Sequence, residues 1–287
     1  MAAVRYALYH GCLIPARAPF LEKATKLVLD DLGIAYEDLK GTSCCVDPTT
    51  LRGTSEHAWL TLNARNITLA EDRGLPLLSQ CNGCFSNINE ANKVLQEDDE
   101  LREVVNEDLA LVDREYKGTV EVHHLVGILH DVGEKAIRER VKVPLTDWVV
   151  ASEPGCHLTR PSEYSPFPDA RYPRIVEDLA SWVGASTVEY TDLIMCCGNV
   201  VRRTNADVAD KMLGDLMAAI DGAGATHIVT PCPTCYVQMD MGQKEVVDKV
   251  GLKAPLPVLF ISEMLALAFG HGPDELGLRY HRVPVDL

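Results

Sequence analysis

The chain alternates short apolar runs with longer segments in which apolar residues recur every three or four positions. The short runs predict β-strands, and the periodic segments predict amphipathic α-helices. Strands are predicted at 4–9, 75–79, 120–125, 148–152, 227–230 and 257–261. Helices are predicted around 20–32, 58–69, 87–117, 126–141, 175–183, 208–220 and 262–269, where Val208 is assigned to the buried face. This alternation of strands and helices is typical of an α/β fold.

The cysteines of the two halves form one repeated pattern. The first half carries Cys12, Cys44, Cys45, Cys81 and Cys84, and the second carries Cys156, Cys196, Cys197, Cys232 and Cys235. Equivalent cysteines lie 144 to 152 positions apart, and all ten cysteines of the chain belong to the repeat. The sequence therefore predicts a tandem duplication, with one domain at 1–144 and a second at 145–287.

Each cysteine group follows a predicted strand or precedes a predicted helix. In open α/β sheets, ligand sites gather outside the carboxyl ends of the parallel strands. We therefore expect two tandem, pseudo-two-fold related Rossmann-like domains. Each domain has a small, mostly parallel sheet flanked by helices, and one five-cysteine cluster site.

Composition and charge exclude several classes of protein. The chain has 287 residues, 47% of them hydrophobic, and a formal net charge of -15. A nucleic-acid-binding protein needs a basic surface, so no nucleic-acid partner is expected. No apolar stretch reaches about 18 residues, so no membrane span is expected. With too short an N-terminal apolar run for a signal peptide, a cytoplasmic location is expected, where cysteines serve as metal ligands or redox groups.

Five thiolates in each half exceed what a single metal ion requires. A structural zinc ion or a cubane [4Fe–4S] cluster takes four thiolates. Two adjacent cysteines reach one site only from a tight turn, because neighbouring side chains on a strand point to opposite faces. The spacing fits an iron–sulfur centre with five thiolate ligands, or a four-thiolate cubane with a fifth cysteine beside it. Zinc in one or both halves is the alternative without redox chemistry.

The spacing of these cysteines resembles that of the cysteine-rich CCG domain family. In the first half, 31 residues separate Cys12 from Cys44, and 35 separate Cys45 from Cys81. The pattern covers nearly the whole chain, and its duplication is similar to that of the heterodisulfide reductase B subunit family. The first half departs from the C-C-G signature, because Val46 follows its paired cysteines. In the second half, 34 residues rather than 35 separate Cys197 from Cys232.

This resemblance implies a cofactor, a reaction and partners. Each five-cysteine set would bind a noncubane [4Fe–4S] cluster, and the mixed disulfide of coenzyme M and coenzyme B would be reduced between the two clusters. Electrons would arrive through the iron–sulfur C subunit from the flavin-containing A subunit, with a hydrogenase or formate dehydrogenase as a further associate. The chain itself carries no flavin or nucleotide fingerprint, so neither cofactor is expected in it.

Other residues are candidates because of their distance in sequence from the cysteines. His10 precedes Cys12 by two positions and His157 directly follows Cys156, so these two histidines are the candidate proton donors. The substrate that the resemblance implies is anionic and requires cations. The candidate cations near the cysteine groups are Arg17, Lys23, Arg160, Arg202 and Arg203.

Two other functions fit the same residues. A subunit with CCG domains could transfer electrons in another oxidoreductase, such as a thiol:fumarate reductase or a succinate or lactate oxidation complex. A zinc-binding assembly subunit would have the same fold without redox chemistry.

Overall fold

The computed structural model describes residues 4–46, 51–191, 193–251 and 255–285. Within these ranges the chain forms two four-stranded sheets in which every strand pair is parallel. The first sheet contains β1 (Arg5–Tyr9), β2 (Ala35–Asp38), β3 (Leu77–Ser79) and β4 (Val122–His124). The second contains β5 (Val149–Ser152), β6 (Ser186–Val188), β7 (His227–Thr230) and β8 (Val258–Phe260).

The two sheets share one topology. Their strand orders are β2-β1-β3-β4 and β6-β5-β7-β8, so the second repeats the first. In the first sheet the chain runs outward from β1 to β2 and then crosses back to β3 on the other side. The crevice between the carboxyl ends of β1 and β3 is therefore a topological switch point, where open parallel sheets bind ligands.

Helices cover the sheets and connect the strands. The helices of the first half are α1 (Leu13–Arg17), α2 (Pro19–Asp31), α3 (Leu51–Thr54), α4 (Glu56–Glu71), α5 (Asn82–Glu97), α6 (Asp99–Ala110), α7 (Leu125–Val132) and α8 (Glu134–Arg138). Those of the second half are α9 (Cys156–Thr159), α10 (Ile175–Trp182), α11 (Ala206–Gly222), α12 (Pro233–Val250), α13 (Ile261–Ala268) and α14 (Pro273–Leu276). Two short 3₁₀ helices, Val201–Arg203 and Leu278–Tyr280, complete the second half.

Local sequence accounts for several of these elements. The inner strands are apolar on both faces, as strands of a covered parallel sheet must be, and Ala7 and Leu8 of β1 are fully buried. Ser55 accepts a hydrogen bond from the Ala58 amide and begins α4. Gly251 ends α12 in the left-handed conformation.

The two domains pack through equivalent pairs of helices. Helix α2 of the first half packs on α13 of the second, and α10, which corresponds to α2, packs on α7, which corresponds to α13. In the same way α5 packs on α9, and α12 packs on α1. Exchanging the halves converts each pair into its counterpart, as a pseudo-two-fold axis requires. The predicted α/β class with two tandem parallel-sheet domains is confirmed.

Three local expectations are wrong. The helix expected at 126–141 is divided between α7 and α8, because Gly133 has a φ of 88° that does not continue a helix. The helix expected at 87–117 is likewise divided, because Asp98 is extended and caps α6. Val208 is 46% exposed rather than buried, because it lies in the first turn of α11, where its amide donates to the Asn205 side chain.

Among the described residues, every helix is too short or too polar to cross a bilayer.

Candidate metal centre

The cysteines of the first domain gather at the carboxyl edge of its sheet. Cys12 follows β1, Cys81 follows β3, and the pair Cys44-Cys45 lies in the loop after β2. Gly11, with a φ of 69°, makes the turn that brings Cys12 back over the sheet edge. A side chain is disfavoured in that conformation, so glycine is the residue that permits this turn. These cysteines therefore lie at the switch point of the sheet.

The second domain repeats this arrangement. Cys156 and Cys232 follow β5 and β7, and Cys196-Cys197 lie in the loop after β6. Gly155 precedes Cys156 with a φ of 76°, matching Gly11. The positions that the cysteine repeat pairs in sequence are therefore also paired in the fold.

The five thiols of the first domain are in contact through their sulfur atoms. The Sγ atoms of Cys12 and Cys44 lie 3.6 Å apart, and those of Cys45 and Cys84 lie 3.2 Å apart. Hydrogen bonds between side chains also join Cys44 to Cys45 and Cys81 to Cys84. The second domain has the equivalent contacts, which join Cys156 to Cys196, Cys196 to Cys197, Cys197 to Cys235 and Cys232 to Cys235.

The two sulfur sites meet at the domain interface. A hydrogen bond between the side chains of Cys81 and Cys232 connects them, and these two cysteines are equivalent in the repeat. The ten thiols thus form one continuous series of contacts, and the second half of the series mirrors the first. All ten line a single cavity of about 340 Å³ between the domains.

The electrostatics of the two sites are matched. Hydrogen bonds with Cys12 and then with Cys45 lower the pKa of the Cys44 thiol to about 2. Hydrogen bonds with Cys156 and then with Cys197 lower the pKa of Cys196 to about 2 in the same way. The hydrogen-bonded partner of each, Cys12 or Cys156, has a raised pKa. The first cysteine of each adjacent pair is therefore poised as a thiolate, the form that binds metals.

The donor set fits an iron–sulfur centre. All ten cysteines are free thiols, and Cys45, Cys81, Cys84, Cys197, Cys232 and Cys235 are buried. Each site offers five sulfur donors, whereas one zinc ion takes four ligands. The adjacent pair directs its two sulfurs to different neighbours, since Cys44 contacts Cys12 and Cys45 contacts Cys84. Sulfur donors that point to different neighbours suit a group with several metal atoms.

Both candidate histidines line the cavity. His10 Nε2 lies 2.9 Å from Asp38 Oδ1, and the Gln80 side-chain amide donates to His10 Nδ1 at 3.1 Å. His157 Nδ1 lies 3.3 Å from Cys156 Sγ. His10, Glu22 and Asp38 could together hold a cation, but the Lys26 ammonium already bonds both carboxylates. The His10 network is thus complete without a metal ion.

The candidate cations lie in different places. Arg203 lines the cysteine cavity, whereas Arg17 lines a separate pocket, and Lys23 is exposed on α2. Arg160 accepts a hydrogen bond at its carbonyl from Ser86 and lines a small gap beside α5. Arg202 forms ion pairs with Asp210 and with Glu245, the second at 3.2 Å. Among the described residues, Arg203 is thus the only member of this candidate set at the cavity.

Sequence reasoning did not select three further polar residues near the cysteines. Asn82 of α5 is fully buried, and its amide donates to the Pro154 carbonyl of the other domain at 2.6 Å. Glu153 is also fully buried, and the Tyr190 hydroxyl donates to it at 3.2 Å. Asn82 stands between two cysteines where the second repeat has Pro233, and this difference was the one available signal. Nothing in the sequence pattern distinguished Glu153 or Tyr190.

Comparison with known proteins identifies the family. The CCG cysteine-rich domain model matches twice, at residues 6–89 and 150–240, which is more than half of the chain. The B subunit of the ferredoxin/F420H2-dependent CoB-CoM heterodisulfide reductase of Methanosarcina acetivorans is 39% identical over 282 residues, which cover 97% of this chain and 94% of the relative. The chain belongs to the heterodisulfide reductase B subunit family.

Two further relatives and one solved structure extend the comparison. A protein of Archaeoglobus profundus, named for its likeness to the heterodisulfide reductase B subunit, is 33% identical over 95% of this chain and 93% of its own length. The 8-methylmenaquinol:fumarate reductase membrane anchor subunit of Wolinella succinogenes is 31% identical, with 96% of both chains covered. A hypothetical protein from Helicobacter pylori shares the fold, with a TM-score of 0.74 and 20% identity over 98% of this chain and 52% of its own.

Proposed function

We propose that this chain is the catalytic subunit of a heterodisulfide reductase, which reduces the mixed disulfide of coenzyme M and coenzyme B to two thiols. One observation carries the proposal: all ten cysteines, from two equivalent sites, line one cavity at the domain interface. A disulfide held there would have one sulfur site on each side. The relatives named as CoB-CoM heterodisulfide reductase subunits support this choice of substrate.

The two halves would each hold one cofactor. In the domain at 1–144, the ligands of a noncubane [4Fe–4S] cluster would be Cys12, Cys44, Cys45, Cys81 and Cys84. In the domain at 145–287, they would be Cys156, Cys196, Cys197, Cys232 and Cys235. When bound, the clusters would supply single electrons at both ends of the disulfide.

Reduction of the disulfide needs two electrons and two protons, and it yields two thiols as the S–S bond breaks. In this reaction the chain would position the disulfide and keep water away from it. Leu13, Ile14 and Val200 add apolar surface to the cysteine cavity, which limits the water around the sulfurs. Arg203 is an exposed residue that lines the cavity, and its guanidinium group is proposed to attract the anionic substrate past the acidic surface of the chain.

His10 and His157 are proposed to deliver the two protons. Each lines the cavity beside the first cysteine of its domain, so each half would serve one product thiol. His10 connects to the surface through Asp38, which is 44% exposed at its side chain. The hydrogen bond at 2.9 Å between these two residues would guide a proton inward from solvent.

Electrons are proposed to come from partner proteins. Relatives of this chain are subunits of multi-subunit reductases, as their names state. For this chain the proposed partners are an iron–sulfur C subunit, a flavin-containing A subunit and, further upstream, a hydrogenase or formate dehydrogenase. The anchor subunit of a menaquinol:fumarate reductase, at 31% identity, supports a second candidate function, electron transfer to a substrate other than a disulfide.

Anaerobic turnover with the two substrates decides between these functions. The assay follows the oxidation of a reduced viologen dye by the purified protein. The electron acceptor is the coenzyme M–coenzyme B disulfide or, in a separate assay, fumarate. We expect one disulfide consumed and two thiols formed for every two electrons taken from the dye. We also expect a new electron paramagnetic signal when coenzyme M is added to oxidised protein. Dye oxidation that depends on fumarate and ignores the disulfide would favour the second function.

A further inference from the structure

The last cysteine of each site is followed, three positions later, by a residue with a side-chain amide. Asn87 follows Cys84 on α5, and Gln238 follows Cys235 on α12. Both residues are buried, with exposed fractions of 1% and 3%. The two positions are equivalent in the repeat, and neither has a role in the function proposed above. The structure nevertheless orients the two amide groups in opposite directions along their helices.

The Asn87 amide faces the first cysteine site. The Trp59 indole nitrogen donates a hydrogen bond to Asn87 Oδ1 at 2.7 Å. An indole N–H is a donor only, so the atom opposite it must be the amide oxygen, and the NH₂ group must lie on the other side. There Asn87 Nδ2 donates to the Gly83 carbonyl at 2.8 Å and to Cys45 Sγ at 4.0 Å. One side chain therefore connects a buried indole with a sulfur donor.

The hydrogen bond between Asn87 and Cys45 is shielded from water, because Trp59, Asn87 and Cys45 are all buried. A low local dielectric strengthens a hydrogen bond, and a charged acceptor such as a thiolate strengthens it further. The Arg52 guanidinium lies 4.7 Å from the centre of the Trp59 ring and pairs with Glu90 at 2.7 Å. These contacts hold the indole ring, which in turn orients the amide.

The Gln238 amide faces away from the second cysteine site. The Arg202 guanidinium donates to Gln238 Oε1 at 3.1 Å, and a guanidinium, like an indole, is a donor only. Gln238 Nε2 therefore lies on the other side, 3.8 Å from the position that a Cβ would take on Gly242. Gly242 lies four positions further along α12, away from Cys235. Among the described residues, Gln238 Nε2 has no hydrogen-bond partner.

The helices that precede α5 and α12 account for this difference. Trp59 lies four positions after the N-cap residue of α4, and the same place on α11 is Ala209. Alanine has no side-chain N–H that could orient an amide, so in the second half the amide oxygen is held by Arg202 instead. The two sites therefore have the same five thiols but differ in this side-chain donor.

We propose that Asn87 is a positioning residue of the first iron–sulfur site, whose hydrogen bond to Cys45 raises the reduction potential of the cluster held there, and that Gln238 has no such effect on the second. A hydrogen bond to a thiolate ligand stabilises the reduced, more negative form of a cluster, so the cluster is easier to reduce. This inference rests on the iron–sulfur sites of the proposed function and not on its substrate.

A redox titration of the anaerobically purified protein, followed by electron paramagnetic resonance without substrate, tests the role of Asn87. The Cys197→Ser variant, which would keep only the first cluster, assigns the signals to the two sites. We expect Asn87→Leu to lower the equilibrium constant for reduction of the first site about tenfold, or about 59 mV for a one-electron centre, and to leave the second site unchanged. The matched control, Gln238→Met, should leave both potentials unchanged.

Trp59→Phe tests the orientation of the amide and leaves Asn87 in place. It removes the indole N–H and keeps an aromatic ring, so the amide is free to rotate away from Cys45. The potential of the first site should fall in the same direction as in Asn87→Leu, but by less. This variant also serves as the test if Asn87→Leu does not fold.

Three results would contradict the proposal. They are an unchanged first-site potential in these variants, an equal shift at both sites, and a shift of similar size in Gln238→Met. Because the titration needs no substrate, a protein that holds both clusters but reduces no disulfide would refute the proposed function alone. A protein without iron would refute the function and the role of Asn87 together.

Discussion

At the scale of single residues, the two halves differ just after their paired cysteines. Gly198 follows Cys197 with a φ of 85°, and Val46 follows Cys45 with a φ of 62°. Both turns are left-handed, a conformation that costs a residue with a side chain about 1–2 kcal/mol. A Cβ added at Gly198 would also meet the Ala209 carbonyl oxygen at 3.0 Å. The first half therefore tolerates a strained valine where the second has no room for one.

This difference predicts opposite effects for a reciprocal pair of substitutions. Val46→Gly should stabilise the protein by about 1 kcal/mol, since it removes most of the left-handed strain. Gly198→Val should destabilise it by more than that, because backbone atoms oppose the new side chain. Thermal unfolding of both variants, with metal content measured alongside, checks the prediction. A fall in Tm of similar size in both would contradict it.

At the scale of elements, the start of α5 connects the domains. Asn82, its first residue, donates to the Pro154 carbonyl across the interface, and a Cβ at Gly155 would lie 2.5 Å from the Asn82 amide nitrogen. The loop that presents Cys156 is thus fitted against the helix that presents Cys84. The position of one sulfur site depends on the other domain through this contact.

Asn82→Ala should destabilise the protein by about 1–3 kcal/mol, because it leaves the buried Pro154 carbonyl without its donor. Asn199→Ala is the matched control, since Asn199 lines the same cavity but no hydrogen bond is seen from its side chain among the described residues. Denaturant unfolding of the two variants measures the difference. Equal stability of both variants would show that this hydrogen bond does not stabilise the packing of the two domains.

Some features of the strands, helices and sites could be predicted from the sequence, and others could not. Apolar runs such as 227–230 predicted strands because both faces of these strands are buried. The spacing of the cysteines, combined with the switch-point rule, predicted that they gather at the carboxyl edges. The contact of Asn82 with Pro154 could not be predicted, because it depends on how two separately folded domains dock. The separation of Arg17 from Arg203 was equally hidden, since distance along the chain does not specify which cavity a side chain faces.

At the scale of the whole molecule, an ion-pair network joins the two domains. His271 Nε2 lies 2.8 Å from Asp31 of α2, and its Nδ1 lies 3.0 Å from Glu275. Burial opposes the charge of His271, but its hydrogen bonds with Asp31 and then Glu275 raise its pKa above the ordinary value of 6.5. The ion pairs of the protonated His271 are therefore present below its raised pKa and are lost as the pH rises through that pKa.

His271→Gln should consequently lower the Tm at pH 6 and have a smaller effect at pH 9. The sign follows from linkage, because a histidine whose pKa is raised by folding stabilises the folded state fully only below its unfolded pKa. Thermal scans of both proteins across this range check the prediction. A Tm difference that is independent of pH would contradict it.

The cysteine cavity is formed by both halves of the chain, which are related by the pseudo-two-fold axis. Neither five-cysteine site alone encloses the cavity, and Cys81 and Cys232 meet where the halves join. Two equivalent iron–sulfur sites that face one substrate are therefore proposed for this chain.

The iron and acid-labile sulfide content of the anaerobically purified protein tests this proposal. Two [4Fe–4S] clusters give about eight iron and eight sulfide ions per chain. We expect about four of each in Cys45→Ser and in Cys197→Ser, and both variants should also lose all disulfide reduction. Full iron occupancy in these variants would contradict the five-ligand assignment, and about one zinc ion per domain with no iron would contradict the proposed iron–sulfur sites altogether.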